Sequence, residues 1–148
     1  MTSAPSKNPR SMGNRKKGSE RIYYVSRYLY ERNFRSLSNI LKRVNQFLFR
    51  AYIPPAVLIG KRLDLPHGGF GVVIHENVII GDDAIIFHNV TIGNGGATIG
   101  DRVYIGTGAI IVGKIRIGDD VTIGANTFVD FDVPSGSTVV GQKGTIIK

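Results

Sequence analysis

Cysteine is absent from all 148 residues. Its absence excludes disulfides, thiolate metal sites and a thiol acyl-enzyme, and fits a reducing, cytoplasmic setting. No serine stands in a G-x-S-x-G setting, so a serine acyl-enzyme is not expected either. No apolar run approaches the roughly 20 residues of a membrane span, and the basic, polar N-terminus with no apolar stretch behind it reads as lacking a signal peptide. Proline is sparse, at six, whereas glycine is plentiful, at nineteen. The glycines recur at regular intervals instead of clustering in linkers.

Acidic residues are scarce in one region only. Residues 1–50 hold twelve Lys and Arg against Glu20 and Glu31, a net charge of +10, while residues 51–148 carry −2. A basic arm attached to a slightly acidic body suggests an anionic partner for the arm. Tyr23, Tyr24, Tyr28 and Tyr30 offer rings for base stacking beside those charges, but no nucleic-acid reading motif accompanies them. A nucleic-acid module is therefore the weaker reading, and a solvated or membrane-surface arm the stronger.

Residues 1–18 have too little apolar surface to offset the entropy of ordering and read as a disordered basic tail. Residues 19–52 read as a helical arm. Ile22, Val25 and Leu29 mark a first amphipathic segment, and Leu37, Ile40, Leu41, Val44, Phe47 and Leu48 a stronger second one. Asn33–Ser36 separates the two, Ser36 is the expected N-cap, and Pro54 and Pro55 end the helical region. The second apolar stripe is expected to pack on the body or on a neighbouring arm more readily than to enter lipid, leaving charge to give weak, salt-sensitive adsorption at an anionic membrane.

From residue 53 the period becomes six. Ile74, Ile80, Ile86, Ile92, Ile99, Ile105, Ile111, Ile117, Ile123 and Val129 follow one another at intervals of six, with a single step of seven. The position four after each is usually small or β-branched, and glycine often follows directly. A six-residue unit is one short strand and a turn, and three units close a triangular coil. One coil cannot bury its inward face alone, so coils must stack. Residues 53–148 thus read as a parallel β-helix of roughly five coils, at about 18 residues each, with glycine relieving the backbone at the corners.

The repeat also aligns particular side chains. His67 stands two after Leu65 and His88 two after Ile86, and a nine-residue step from Leu65 to Ile74 holds a three-residue insertion containing part of Gly68–Gly71. Counted in coils, His67, His88, Thr107 and Ala125 fall on one corner, successive members about 4.8 Å apart. His75 lies on another face and reads as a surface residue. Asp82, Asp101 and Asp119 form a second column, read as solvated turn structure.

The stretch IGKRLDLPHGGFGVVIHENVIIGDDAIIFHNVTIGN, residues 59–94, closely resembles the left-handed β-helix acyltransferases, the group containing serine acetyltransferases and the acetyltransferases of bacterial polysaccharide synthesis. The similarity covers about residues 34–148. It implies left-handed winding, a homotrimer, and acetyl-coenzyme A bound as acyl donor in a groove between neighbouring prisms, with no metal required. It implies His67 as catalytic base and coenzyme contacts at Thr107 and Ala125, with Gly93 and Lys143 as further candidate contacts. His88, on the same corner, is a candidate catalytic residue that orients the acceptor, or else a simple corner residue. A histidine is suited to taking a hydroxyl proton at neutral pH as the oxygen attacks the thioester.

Three departures bear on the acceptor. Tyr52 stands where serine acetyltransferases carry an acidic partner of the catalytic histidine, leaving Asp64 or a backbone carbonyl to orient His67. Only residues 93–98 remain of the loop that holds the serine carboxylate, and the large N-terminal helical domain is missing. These differences favour a saccharide hydroxyl, in capsule or exopolysaccharide synthesis, with serine O-acetylation for cysteine biosynthesis as the alternative. A γ-type carbonic anhydrase on the same prism needs three converging histidines; here they are 8 and 13 residues apart and two share one corner.

Overall fold

The computed structural model describes residues 18–141; residues 1–17 of the expected tail and Lys143 lie outside the described residues. Two helices, α1 (Ser19–Glu31) and α2 (Arg35–Phe49), precede a parallel β-solenoid of two-residue strands. The solenoid has about five coils and is consistent with a left-handed β-helix of six-residue repeats.

Its three faces are each a four-stranded parallel sheet. The first stacks Val73–Ile74, Thr91–Ile92, Ile110–Ile111 and Phe128–Val129. The second stacks Leu58–Ile59, Ile79–Ile80, Thr98–Ile99 and Arg116–Ile117. The third stacks Ile85–Ile86, Tyr104–Ile105, Thr122–Ile123 and Thr138–Val139. Single bridges extend them, Tyr52 under Val73, Asp64 under Ile85 and Val133 over Ile117. The register is that of the sequence repeat: Ile74 faces Ile92, Ile80 faces Ile99, and Ile86 faces Ile105. Every aliphatic residue of the ladder from Ile74 to Val129 is buried, as is the partner four residues on, from Val78 and Ala84 to Thr127 and Val133, except after Ile92, where the seven-residue step moves the buried partner to Ala97. A fully buried isoleucine contributes roughly 1.5–3 kcal/mol relative to exposure, so the ladder is the main source of cohesion between coils.

The corner glycines have a different role from the one expected. Left-handed backbone falls mostly three residues after the inward position, at Arg62, Asp83, Asn89, Arg102, Asp120 and Asn126. Glycines 60, 81, 100 and 118, directly after the inward residue, are needed for closeness. A Cβ on Gly81 or Gly100 would strike the carboxylate of Asp101 or Asp119 and the backbone of the next coil. Those carboxylates form a ladder: Lys61 N–H donates to Asp82 Oδ1 at 2.8 Å, Asp82 N–H to Asp101 at 2.7 Å, and Asp101 N–H to Asp119 at 2.8 Å. The acidic column is therefore a set of ties between coils, and not merely solvated turns.

α1 covers the open end of the first coil, where strand carbonyls have no coil beneath them. Tyr23 Oη donates to Val57 O at 2.7 Å, Tyr24 Oη donates to Gly60 O at 2.6 Å, and Arg27 Nη1 donates to Pro55 O at 2.9 Å. The faces expected to be covered are not the ones that are. α1 buries Tyr23 and Ser26, while Val25 is exposed, and α2 buries Ser38 and Asn45. The two helices meet through hydroxyls: Ser26 Oγ donates to Ser38 O at 2.9 Å and Ser38 Oγ to Ser26 O at 2.8 Å. Leu37, Ile40, Val44, Phe47 and Leu48 consequently remain exposed within the chain and do not pack on the body, the first of the two partners expected for them. Nor is Ser36 the cap. The cap is Phe34, two residues earlier, without a side-chain capping bond, and Arg50 in left-handed conformation (φ 54°) ends the helix before Pro54 is reached.

Candidate active site

The corner between the third and first faces carries the expected column. Ile86, Ile105 and Ile123 are in register on the third face, and the corners after them are tied by Gly108 N–H to His88 O at 3.2 Å and Asn126 N–H to Thr107 O at 2.8 Å. His88, Thr107 and Ala125 therefore stack on successive coils. His67 joins them from the first coil, its ring centroid 5.1 Å from that of His88 and its plane at 89° to it.

The nine-residue step from Leu65 to Ile74 places His67 in a short 3-10 turn, Pro66–Gly69. His67 itself adopts φ 59°, ψ 26°, a left-handed conformation uncommon outside glycine. A non-glycine residue held there costs of order 1 kcal/mol and persists because the surroundings fix it. Those surroundings belong partly to the arm. Gly68 lies against the Phe49 ring, Gly69 lies close to Ser19, and Gly71 N–H donates to Phe49 O at 3.2 Å. The result is an exposed imidazole on a braced turn.

His88 is half-buried, and its Nδ1 is buried without a hydrogen-bond partner. Phe87 lies 6.4 Å from His67 and 5.2 Å from Tyr104, centroid to centroid, forming an aromatic wall beside the pair. Thr107 is half-buried and Ala125 exposed, so the column above the histidines is lined by small side chains. Phe49, Phe87 and Tyr104 were not legible as site residues. The last two fall directly after and directly before inward isoleucines, a position with no distinctive spacing of its own.

The structure does not bring Gly93 to this corner. Gly93 lies between the first and second faces, its N–H bonded to Ile111 O at 2.8 Å, one coil above His75. His75 is half-buried there, its Nδ1 accepting from Asn77 N–H at 3.5 Å. Asp64 bridges to Ile85 on the outer side of the third face. Tyr52, at the acidic partner's position, lies under Lys42, whose Nζ is 5.7 Å from the ring centroid. Among the described residues, no three His, Cys, Asp or Glu side chains group in a way that would hold a metal ion.

Residues 96–130 match the bacterial transferase hexapeptide (six repeats) family. Serine acetyltransferase from Helicobacter pylori (strain ATCC 700392 / 26695) is 42% identical over 132 residues, covering 84% of this chain and 77% of the relative. Among solved structures, serine acetyltransferase from Neisseria gonorrhoeae, in complex with serine, is 36% identical with a TM-score of 0.78, covering 84% of this chain and 53% of the other. A serine acetyltransferase in complex with CoA is 32% identical with a TM-score of 0.79, covering 87% and 55%. The chain thus spans about half the length of these solved structures.

These relatives overturn the expected saccharide acceptor and the preference for a saccharide over serine as partner. The departures at Tyr52 and at the short corner only remove contacts. Identity of 42% over 132 residues, together with a fold matched over 84% of the chain, outweighs these local differences. The chain belongs to the serine acetyltransferase family of hexapeptide-repeat transferases.

Proposed function

We propose that this chain is an acetyl-coenzyme A dependent O-acetyltransferase that acetylates serine. The observation that carries the reading is the 42% identity to a serine acetyltransferase across 132 residues. It is supported by a histidine pair at one corner of the prism, with small side chains stacked above it. In this reading the β-helix, residues 53–148, is the catalytic unit and the arm, residues 19–52, its end cap. The absence of cysteine supports a cytoplasmic setting, and no helix among the described residues is long and apolar enough to cross a membrane.

His67 acts as general base. Its imidazole takes the proton of the serine hydroxyl as that oxygen attacks the thioester carbonyl carbon. The tetrahedral intermediate collapses with cleavage of the carbon–sulfur bond, and the imidazolium returns the proton to the departing coenzyme A sulfur. His88, with an unpartnered Nδ1 beside His67, orients the acceptor. Thr107 and Ala125 leave room for the pantetheine arm along the corner, and Gly93 and Lys143 complete the coenzyme contacts, Gly93 from a different corner. In a homotrimer the neighbouring prism closes the groove.

Release of free coenzyme A, with serine varied, tests the reading. Serine-dependent release is expected for the wild type, with turnover at least about a hundredfold lower in His67→Ala. His88→Ala is expected to weaken serine use, and Ala125→Trp to raise the KM for acetyl-coenzyme A. Absence of serine-stimulated release rejects the acceptor, and near-normal turnover in His67→Ala removes that residue from the chemistry.

A further inference from the structure

The exposed stripe of α2 has no role in the chemistry just described, and it is not surplus from packing. α2 turns Ser38 and Asn45 inward and leaves Leu37, Ile40, Val44, Phe47 and Leu48 outward, Phe47 being 81% exposed. The stripe recurs at three- and four-residue intervals, so it forms one continuous ridge about 16 Å long at 1.5 Å per residue.

The charge along the helix itself is of one sign. α2 and its end carry Arg35, Lys42, Arg43 and Arg50 and no acidic residue, whereas Arg62 on the first coil is paired with Asp83 at 2.6 Å. Arg43 and Arg50, four before and three after Phe47, border the ridge on the same side of the helix and are exposed. The neighbouring coils differ, since Asp82, Asp83, Asp101, Asp119 and Asp120 lie at their corners. The cationic, apolar end of the molecule is the end capped by α1 and α2.

From these features we infer that α2 docks the protein on an anionic phospholipid surface, lying in the interface with Phe47 and Leu48 inserted and Arg43 and Arg50 at the headgroups. An apolar ridge and clustered cations together supply the two signals that stable interfacial binding requires. The helix lies on the bilayer and does not span it, being neither long nor apolar enough to cross. A second copy of this chain fits the ridge less well, because two such faces would bring like charges together.

The test uses the full chain and vesicles of phosphatidylcholine with or without phosphatidylglycerol, co-sedimented at low and high salt. Recovery with the anionic vesicles alone, falling as salt rises, is expected. Phe47→Ser with Leu48→Ser should lower partition at least about tenfold, and Arg43→Gln or Arg50→Gln about fivefold each. Serine-dependent coenzyme A release by the stripe variant in the absence of vesicles should match that of the wild type, since neither residue lies at the histidine corner. Equal recovery from both vesicle types, or partition unchanged in both the stripe and the arginine variants, overturns the inference. So does a stripe variant that changes the mass in sedimentation velocity while vesicle binding persists, which would assign the ridge to a second copy. Tighter salt-matched binding to RNA than to anionic vesicles would overturn it as well.

Discussion

The solenoid and the helical arm are built from similar proportions of apolar residues, yet they use them in opposite ways. In the solenoid every isoleucine at the six-residue interval points inward and is covered by the coils above and below. In the arm the longest apolar stripe faces outward, and the helices are joined by serine hydroxyls and an asparagine. Periodicity alone states that a face exists. In a solenoid the covering partner is the next repeat of the same pattern, so the pattern names its own partner. In a helical hairpin the partner is a separate element, and small polar residues that allow close approach can win the contact.

Four substitutions probe that contrast. Ile105→Ala, in a fully buried position between Ile86 and Ile123, should cost about 2–5 kcal/mol in chemical denaturation; a cost below about 1 kcal/mol would show that coils do not depend on their neighbours. Gly100→Ala should cost roughly 1–3 kcal/mol, because the added methyl meets Asp119 and the backbone of the next coil. An effect no larger than that of an exposed substitution would remove closeness as the reason for the glycine.

Tyr23 tests the junction of the two regions. Burial pushes its phenol up to about 12, opposed by a backbone hydrogen bond from Ile59. A folded value above the unfolded value of 10 means that the stability it contributes is fully present below pH 10 and is lost as pH rises through about 12. Denaturation midpoints for wild type should therefore fall across that window. Tyr23→Phe should be about 1 kcal/mol less stable at neutral pH, having lost the bond to Val57 O, yet show a shallower alkaline decline. Parallel declines would place the titration elsewhere. The smallest effect is expected for Leu48→Ala, within about 0.5 kcal/mol, as an exposed position; a loss of 2 kcal/mol would mean that the ridge is covered after all.

Much of the solenoid was legible in the sequence because its rule is local and repeated. Counting sixes from Leu65 and Ile86 placed His67, His88, Thr107 and Ala125 on one corner, as their registers and ring contact bear out. The count did not reveal what braces His67, since Phe49 and Ser19 arrive from the arm, across a change of period. The Gly-Asp pairs at 81–82 and 100–101 carried a readable signal. A glycine followed by aspartate, again one coil later, marks carboxylates that accept N–H groups between coils. The acceptor was misjudged because missing loops were weighed as positive signs of a different substrate. The arm failed on the side-chain contacts of Ser26 and Ser38, which no hydrophobic pattern registers.

The three-residue insertion between Leu65 and Ile74 shows how such a scaffold can change without being rebuilt. Lateral register is carried by the strands, and Asp64 and Val73 keep their pairings on either side of the enlarged corner. Length added at a corner projects sideways, so the reactive turn can be lengthened, shortened or re-sequenced while the stack continues unchanged. A lineage using this architecture can explore new acceptors by varying a few residues at one vertex, with the interior exempt from that experiment.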